Sequence, residues 1–115
     1  MTIQLYGIPN CDTVRKARKW LDAQGVEYVF HDFKKESADV ARLAQWCDAA
    51  GWEVLLNKRG TTFRKLDDAE KADIDREKAI ALMIGHPSII KRPVVEYGGG
   101  VLVGFYEERW SAALQ

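Results

Sequence analysis

Apolar and polar positions along this chain change period several times, and each change marks an element. Ile3 and Leu5 begin a short apolar strand, which the turn formers Gly7-Ile8-Pro9-Asn10 bring to a stop. Over Asp12–Gln24 the period is helical. Val14, Ala17, Arg18 and Leu21 share one face, Arg15, Lys16, Lys19 and Asp22 lie mostly outside, and Gly25 supplies the stop. Val26, Tyr28 and Phe30 then alternate with Glu27, Val29 and His31, which predicts a strand over 26–33. Strand, helix and strand in that order imply parallel pairing through a right-handed crossover.

The middle of the chain reads as helical. Val40, Leu43, Ala44 and Cys47 align on one face of a helix over 39–50, with Gly51 after it. Residues 52–56 lead into a polar loop, 57–62, and 63–66 is a short ordered piece. The highly charged stretch 67–77 reads as a solvated helical or turn segment. A third helix over 78–84 turns Ala79, Ile80, Met83 and Ile84 inward and ends at Gly85. Val94–Tyr97 and 101–105, separated by Gly98-Gly99-Gly100, carry a hairpin signal. A final helix, Glu107–Leu114, offers Trp110, Ala113 and Leu114 as apolar contacts. The expected fold class is therefore α/β, with the order β-α-β, a helical middle over about 39–85, then β-β-α.

Composition narrows the function. At 115 residues the chain has the length of one domain, and 1–115 is read as a single one. Lys and Arg together (17) balance Asp and Glu (17), which argues against a direct nucleic-acid binder driven by phosphate neutralisation. No apolar run approaches the roughly 20 residues needed to cross a bilayer. Residues 1–6 lack the regions of a signal peptide, so no membrane role and a cytoplasmic location are expected. Two cysteines cannot supply the usual four ligands of a structural zinc site, and His31 and His86 show no ligand spacing, so no metal is expected.

The chemistry then rests on Cys11, which follows a strand and a turn and stands where a helix begins. The first N–H groups of a helix lack intrahelical acceptors, and the macrodipole places about half a positive charge there. A thiolate at Cys11 would accept from Thr13 and Val14, and its pKa is expected below the free value of about 8.5. Asn10 precedes it, the Thr13 hydroxyl is a further donor, and Arg15 and Lys16 lie one turn away; Asp12 opposes the effect. Cys47, on an apolar face, reads as core packing. Val14 stands three residues after Cys11, so the C-x-x-C pair is absent. What remains is monothiol chemistry, in which an external thiol such as glutathione regenerates Cys11.

The segment Tyr6-Gly7-Ile8-Pro9-Asn10-Cys11-Asp12-Thr13-Val14-Arg15-Lys16-Ala17 resembles the nucleophile segment of the ArsC/Spx/YffB group of proteins. Leu55-Leu56-Asn57-Lys58-Arg59-Gly60-Thr61-Thr62-Phe63-Arg64 resembles the group's second block, and His86-Pro87 through Arg92-Pro93-Val94-Val95 its third. Val103-Gly104-Phe105 before Glu108 and Trp110 resembles its C-terminal signature. The resemblance implies a thioredoxin-like fold with a four-stranded mixed sheet and an inserted helical segment, and a cis bond at Arg92-Pro93 facing the cysteine. Family arsenate reductases hold their oxyanion with three arginines. Arg92 matches one, whereas Asn57 and Gly104 stand at the other two positions and Arg59 lies two residues beyond the first. The Asn-Lys-Arg-Gly-Thr run is most similar to the YffB branch, described as glutathione-dependent thiol reductases.

Glutathione carries two carboxylates, which a planar guanidinium can hold by two parallel hydrogen bonds. Arg92 and Arg59 are the candidates for this, with Lys58 and Arg64 beside them, and Pro93 flanks a backbone able to pair with a peptide. The expected activity is glutathione-dependent reduction of mixed disulfides at Cys11. The resemblance also implies two alternatives: an Spx-like regulator that binds RNA polymerase without turnover, and an arsenate reductase that uses glutathione.

Overall fold

The computed structural model describes residues 2–33, 35–36 and 39–114. Among these the chain forms two compact units, one from 1–36 and 92–115, the other from 37–91. The first unit carries a four-stranded mixed sheet made of β1 (Ile3–Gly7), β2 (Tyr28–Asp32), β3 (Val94–Tyr97) and β4 (Gly100–Val103), in the order β2-β1-β3-β4. β1 runs parallel to β2, with Leu5 opposite Phe30, and antiparallel to β3, with Leu5 opposite Val95. Helices α1 (Asp12–Gln24) and α7 (Glu107–Leu114) complete the unit. The sequence order β-α-β then β-β-α is thus the order found.

One face of the sheet is apolar because alternate residues of a strand point the same way. Ile3, Leu5 and Val95 meet Ala17 and Leu21 of α1 and Trp110 of α7, each at most 3% exposed. Arg18 covers the edge of this core: its Nε donates to the Tyr28 hydroxyl at 3.2 Å, and its guanidinium lies 4.4 Å from the Phe30 ring centre. That contact explains how an arginine shares the apolar face of α1, its stem packed and its charge outermost.

The second unit is built from α2 (Val40–Ala50), the single turns α3 (Trp52–Leu55), α4 (Thr61–Arg64) and α5 (Asp68–Lys71), then α6 (Arg76–Gly85) and a 3₁₀ turn, Pro87–Ile89. Its last residues are tied back to the end of α3 and the stretch that follows it. Asn57 N–H donates to the Ile89 carbonyl at 2.8 Å, and Lys91 N–H to the Leu55 carbonyl at 2.7 Å.

Several boundaries differ from the sequence reading for local reasons. The second strand starts at Tyr28 rather than Val26, because Val26 N–H donates to the Leu21 carbonyl at the end of α1. Gly7 belongs to β1 rather than to the turn; it pairs with Asp32, and its carbonyl accepts from Phe33 N–H at 2.9 Å. Val40, expected inside, is 58% exposed at the opening of α2, and Trp46 fills the core in its place at 1%. Ile84 is only half-buried, while Leu82 is buried. The last strand stops at Val103, since Gly104 turns the chain with φ 76°.

Candidate active site

The C-terminal end of β1 lies between a parallel and an antiparallel neighbour, so the chain leaving β1 and the chain entering β3 meet there: Tyr6 stands opposite Val94. From this end the chain makes a turn in which Cys11 N–H donates to the Ile8 carbonyl at 3.2 Å. Cys11 then caps α1 with extended backbone, φ −90° and ψ 127°, and its carbonyl accepts the first helical bond from Arg15 at 2.9 Å. The site is therefore a direct product of strand, turn and helix succeeding one another within ten residues.

Cys11 is half-buried. Burial by itself would push its thiol up, because it disfavours the charged form. That effect is outweighed by Val14 N–H, by the Arg92 side chain bonded to the sulfur, by Thr13 N–H and by the Arg92 charge, and the thiol ends below its ordinary value. The sulfur makes no tight cap of the kind a serine or aspartate oxygen makes, yet the same amide groups favour its ionised state. Cys47 moves the opposite way. Burial pushes it up, the Arg76 charge pulls partly against this, and the Asp48 charge adds a last upward push. The two thiols are thus pushed in opposite directions, Cys11 toward the thiolate and Cys47 away from it.

The arginine reaches the sulfur from the other end of the sequence. Arg92 precedes Pro93 through a cis peptide bond, immediately before β3. The Pro93 carbonyl accepts from Gly104 N–H at 2.8 Å, and the Gly104 carbonyl accepts from Trp110 Nε1–H at 3.0 Å. A chain of two hydrogen bonds therefore anchors the loop bearing Arg92 to α7.

The other residues singled out from sequence are placed as follows. Thr13 meets the sulfur through its backbone N–H. Arg15 donates to the Asn10 carbonyl at 2.9 Å and pairs with Asp12 at 3.1 Å, so its guanidinium braces the turn before Cys11. Lys58, Arg59 and Arg64 belong to the second unit. Arg59 N–H donates to Asn57 Oδ1 at 3.1 Å, Lys58 Nζ lies 5.7 Å from the Trp52 ring centre, and Arg64 ends α4 exposed. His86 caps the end of α6, with Nε2 3.5 Å from Glu70 of α5. His31 stacks on Tyr6 at 4.5 Å and bonds to Glu36 and Gln4. Sequence reasoning did not reach the brace formed by Gly104 and Trp110; a glycine followed six residues later by a tryptophan has no periodic signal.

Comparison with known proteins adds a family. The model of the ArsC family matches residues 6–113. A solved structure described as a YffB protein superposes with a TM-score of 0.96 at 55% identity, over 98% of this chain and 99% of that one. An uncharacterised protein of Haemophilus influenzae is 42% identical over 111 residues, 96% of this chain and 97% of its own length. A global transcriptional regulator Spx of Lactiplantibacillus plantarum is 24% identical over 106 residues, 90% of this chain and 80% of its own.

Proposed function

On the premise that this chain belongs to the ArsC family, with its thioredoxin-like fold, we propose that it is a thiol–disulfide oxidoreductase acting through Cys11 alone, with glutathione as reductant. The observation that carries the reading is the sulfur of Cys11 held toward its ionised form by Val14 N–H, Arg92 and Thr13 N–H. The thiolate is the attacking species in disulfide exchange.

The proposed sequence has two exchanges. In the first, the Cys11 thiolate attacks the glutathione sulfur of a mixed disulfide. A Cys11–glutathione disulfide forms and the other thiol leaves as its thiolate. In the second, a glutathione thiolate attacks that intermediate, releasing oxidised glutathione and restoring the Cys11 thiolate. Overall, the mixed disulfide and one glutathione become the free thiol and oxidised glutathione. The departing sulfur is reduced as the incoming glutathione sulfur is oxidised, the glutathione already in the mixed disulfide keeps its oxidation level, and no second protein thiol takes part. Arg92, bonded to the resting sulfur, also stabilises Cys11 when it departs in the second step, since a lower-pKa thiol leaves faster.

The test is turnover of a glutathionylated peptide, followed by oxidised glutathione release. The expected result is steady reduction by the native chain and only background with Cys11→Ser. Equal rates for the two would overturn the reading. A second reading, regulation through an RNA-polymerase contact, is favoured by the likeness to Spx proteins. Co-purification with polymerase subunits in the absence of turnover would put it first. Arsenate reduction is less favoured. Gly104 stands where family reductases carry an arginine, and its left-handed φ of 76° strains any side chain placed there. Arsenate-dependent oxidation of glutathione would reverse that judgement.

A further inference from the structure

Gly7 is a glycine that the backbone does not demand. Its φ lies outside the left-handed region, so an alanine is conformationally allowed and would suit a strand better. What excludes a side chain is space. A Cβ at Gly7 would sit 2.8 Å from Val14 Cγ2 and 3.3 Å from Val14 Cγ1. Val14 cannot readily swing away, because it is fully buried and a valine in a helix has one strongly preferred rotamer. Gly7 cannot readily retreat either. It pairs with Asp32, and its carbonyl is fixed by Phe33 N–H at 2.9 Å. The yielding part is the first turn of α1.

That turn is the one whose amides meet the thiol. The N–H of Val14, on the same residue as the crowded methyls, is directed at the Cys11 sulfur, and the N–H of Thr13 accompanies it. We propose that Gly7 is a positioning residue: its missing side chain lets the opening turn of α1 close on the end of β1, which sets where the Val14 amide meets the sulfur. Gly7 acts through Val14 and touches neither substrate nor the reacting atoms. The inference deepens the thiol chemistry proposed above but is read on the thiol itself, so failure to reduce a peptide would leave it standing, and the reverse.

The experiment is a mutant cycle. The rate of alkylation of Cys11 by iodoacetamide is followed against pH for the native chain, Gly7→Ala, Val14→Ala and the double variant, with the modified peptide identified by mass spectrometry and folding checked by circular dichroism. Gly7→Ala is expected to move the alkylation midpoint to higher pH and to slow the reaction several-fold below the ordinary thiol range. Added to Val14→Ala, the same change is expected to leave the midpoint where Val14→Ala alone puts it, because the colliding methyls are gone. A folded Gly7→Ala with the native midpoint would overturn the proposal, as would a double variant displaced from Val14→Ala. Should Gly7→Ala fail to fold, the double variant decides. Folding with the midpoint of Val14→Ala supports the proposal; a shifted midpoint or a failure to fold refutes it.

Discussion

At the scale of single residues, the Cys11 sulfur combines a local and a distant source of support. The amides of Thr13 and Val14 come with the helix start and are fixed by sequence spacing. Arg92 comes from eighty-one positions away and depends on the pairing of β1 with β3. After the Val14 amide, Arg92 acts on the sulfur twice, through a charge-assisted hydrogen bond and through its charge. Arg92→Met is expected to shift Cys11 alkylation to higher pH and to slow turnover at neutral pH by roughly tenfold, the lower end of a charged bond's worth. Arg92→Lys should restore part of the shift, since the charge survives but the planar fork does not. An unchanged alkylation profile in Arg92→Met would remove the arginine from the site.

At the scale of elements, α7 does more than cover the sheet. Trp110 is fully buried and its Nε1–H satisfies the Gly104 carbonyl, while Gly104 N–H satisfies Pro93. Trp110→Phe keeps most of the ring volume but leaves that carbonyl without its donor, at an expected cost of about 1–3 kcal/mol in denaturant unfolding. Trp110→Ala adds a cavity and is expected to cost about 3–5 kcal/mol. If Trp110→Phe unfolds at the native denaturant midpoint, the hydrogen bond has no structural weight. In the second unit the Asp39 carboxylate accepts from Ala41 N–H at 3.1 Å, and Asp39→Ala should lose about 1 kcal/mol as an ordinary N-cap does. The elements themselves were largely readable from hydrophobic period. Their ends were not, because an end is settled by which carbonyl captures the next N–H, as Leu21 captures Val26.

At the scale of the whole molecule, the two thiols have opposite tendencies, and this has consequences for stability and for modification. A thiol whose folded-state pKa is depressed stabilises the fold above its unfolded value of about 8.5, and that contribution fades as pH falls through the folded value. The loss of stability on Cys11→Ser should therefore grow between acid and alkaline pH and level off above about pH 9. Cys47 is common to both chains and cancels in the difference. A difference that stayed flat, or fell with pH, would mean that Cys11 titrates as it does in the unfolded chain. Incubation with oxidised glutathione should add a single glutathione, on Cys11 and not on Cys47, whose residue is 6% exposed. A doubly modified protein, or an adduct on Cys47, would contradict that selectivity. Among the described residues no helix is long and apolar enough to cross a membrane.

Sequence alone determined the order of strands and helices, the junction at which Cys11 stands and the absence of a second thiol three residues on, because these follow from short-range periodicity and spacing. The α/β class followed from that same periodicity, and the likeness to the ArsC family from motifs in a fixed order. Only the tertiary structure decided that Arg92 bonds to the sulfur, that Arg15 turns instead to Asn10, and that Gly7 makes room for Val14. Each of those is a matter of which surfaces meet once the strands have paired. Contacts of that kind leave no period along the chain.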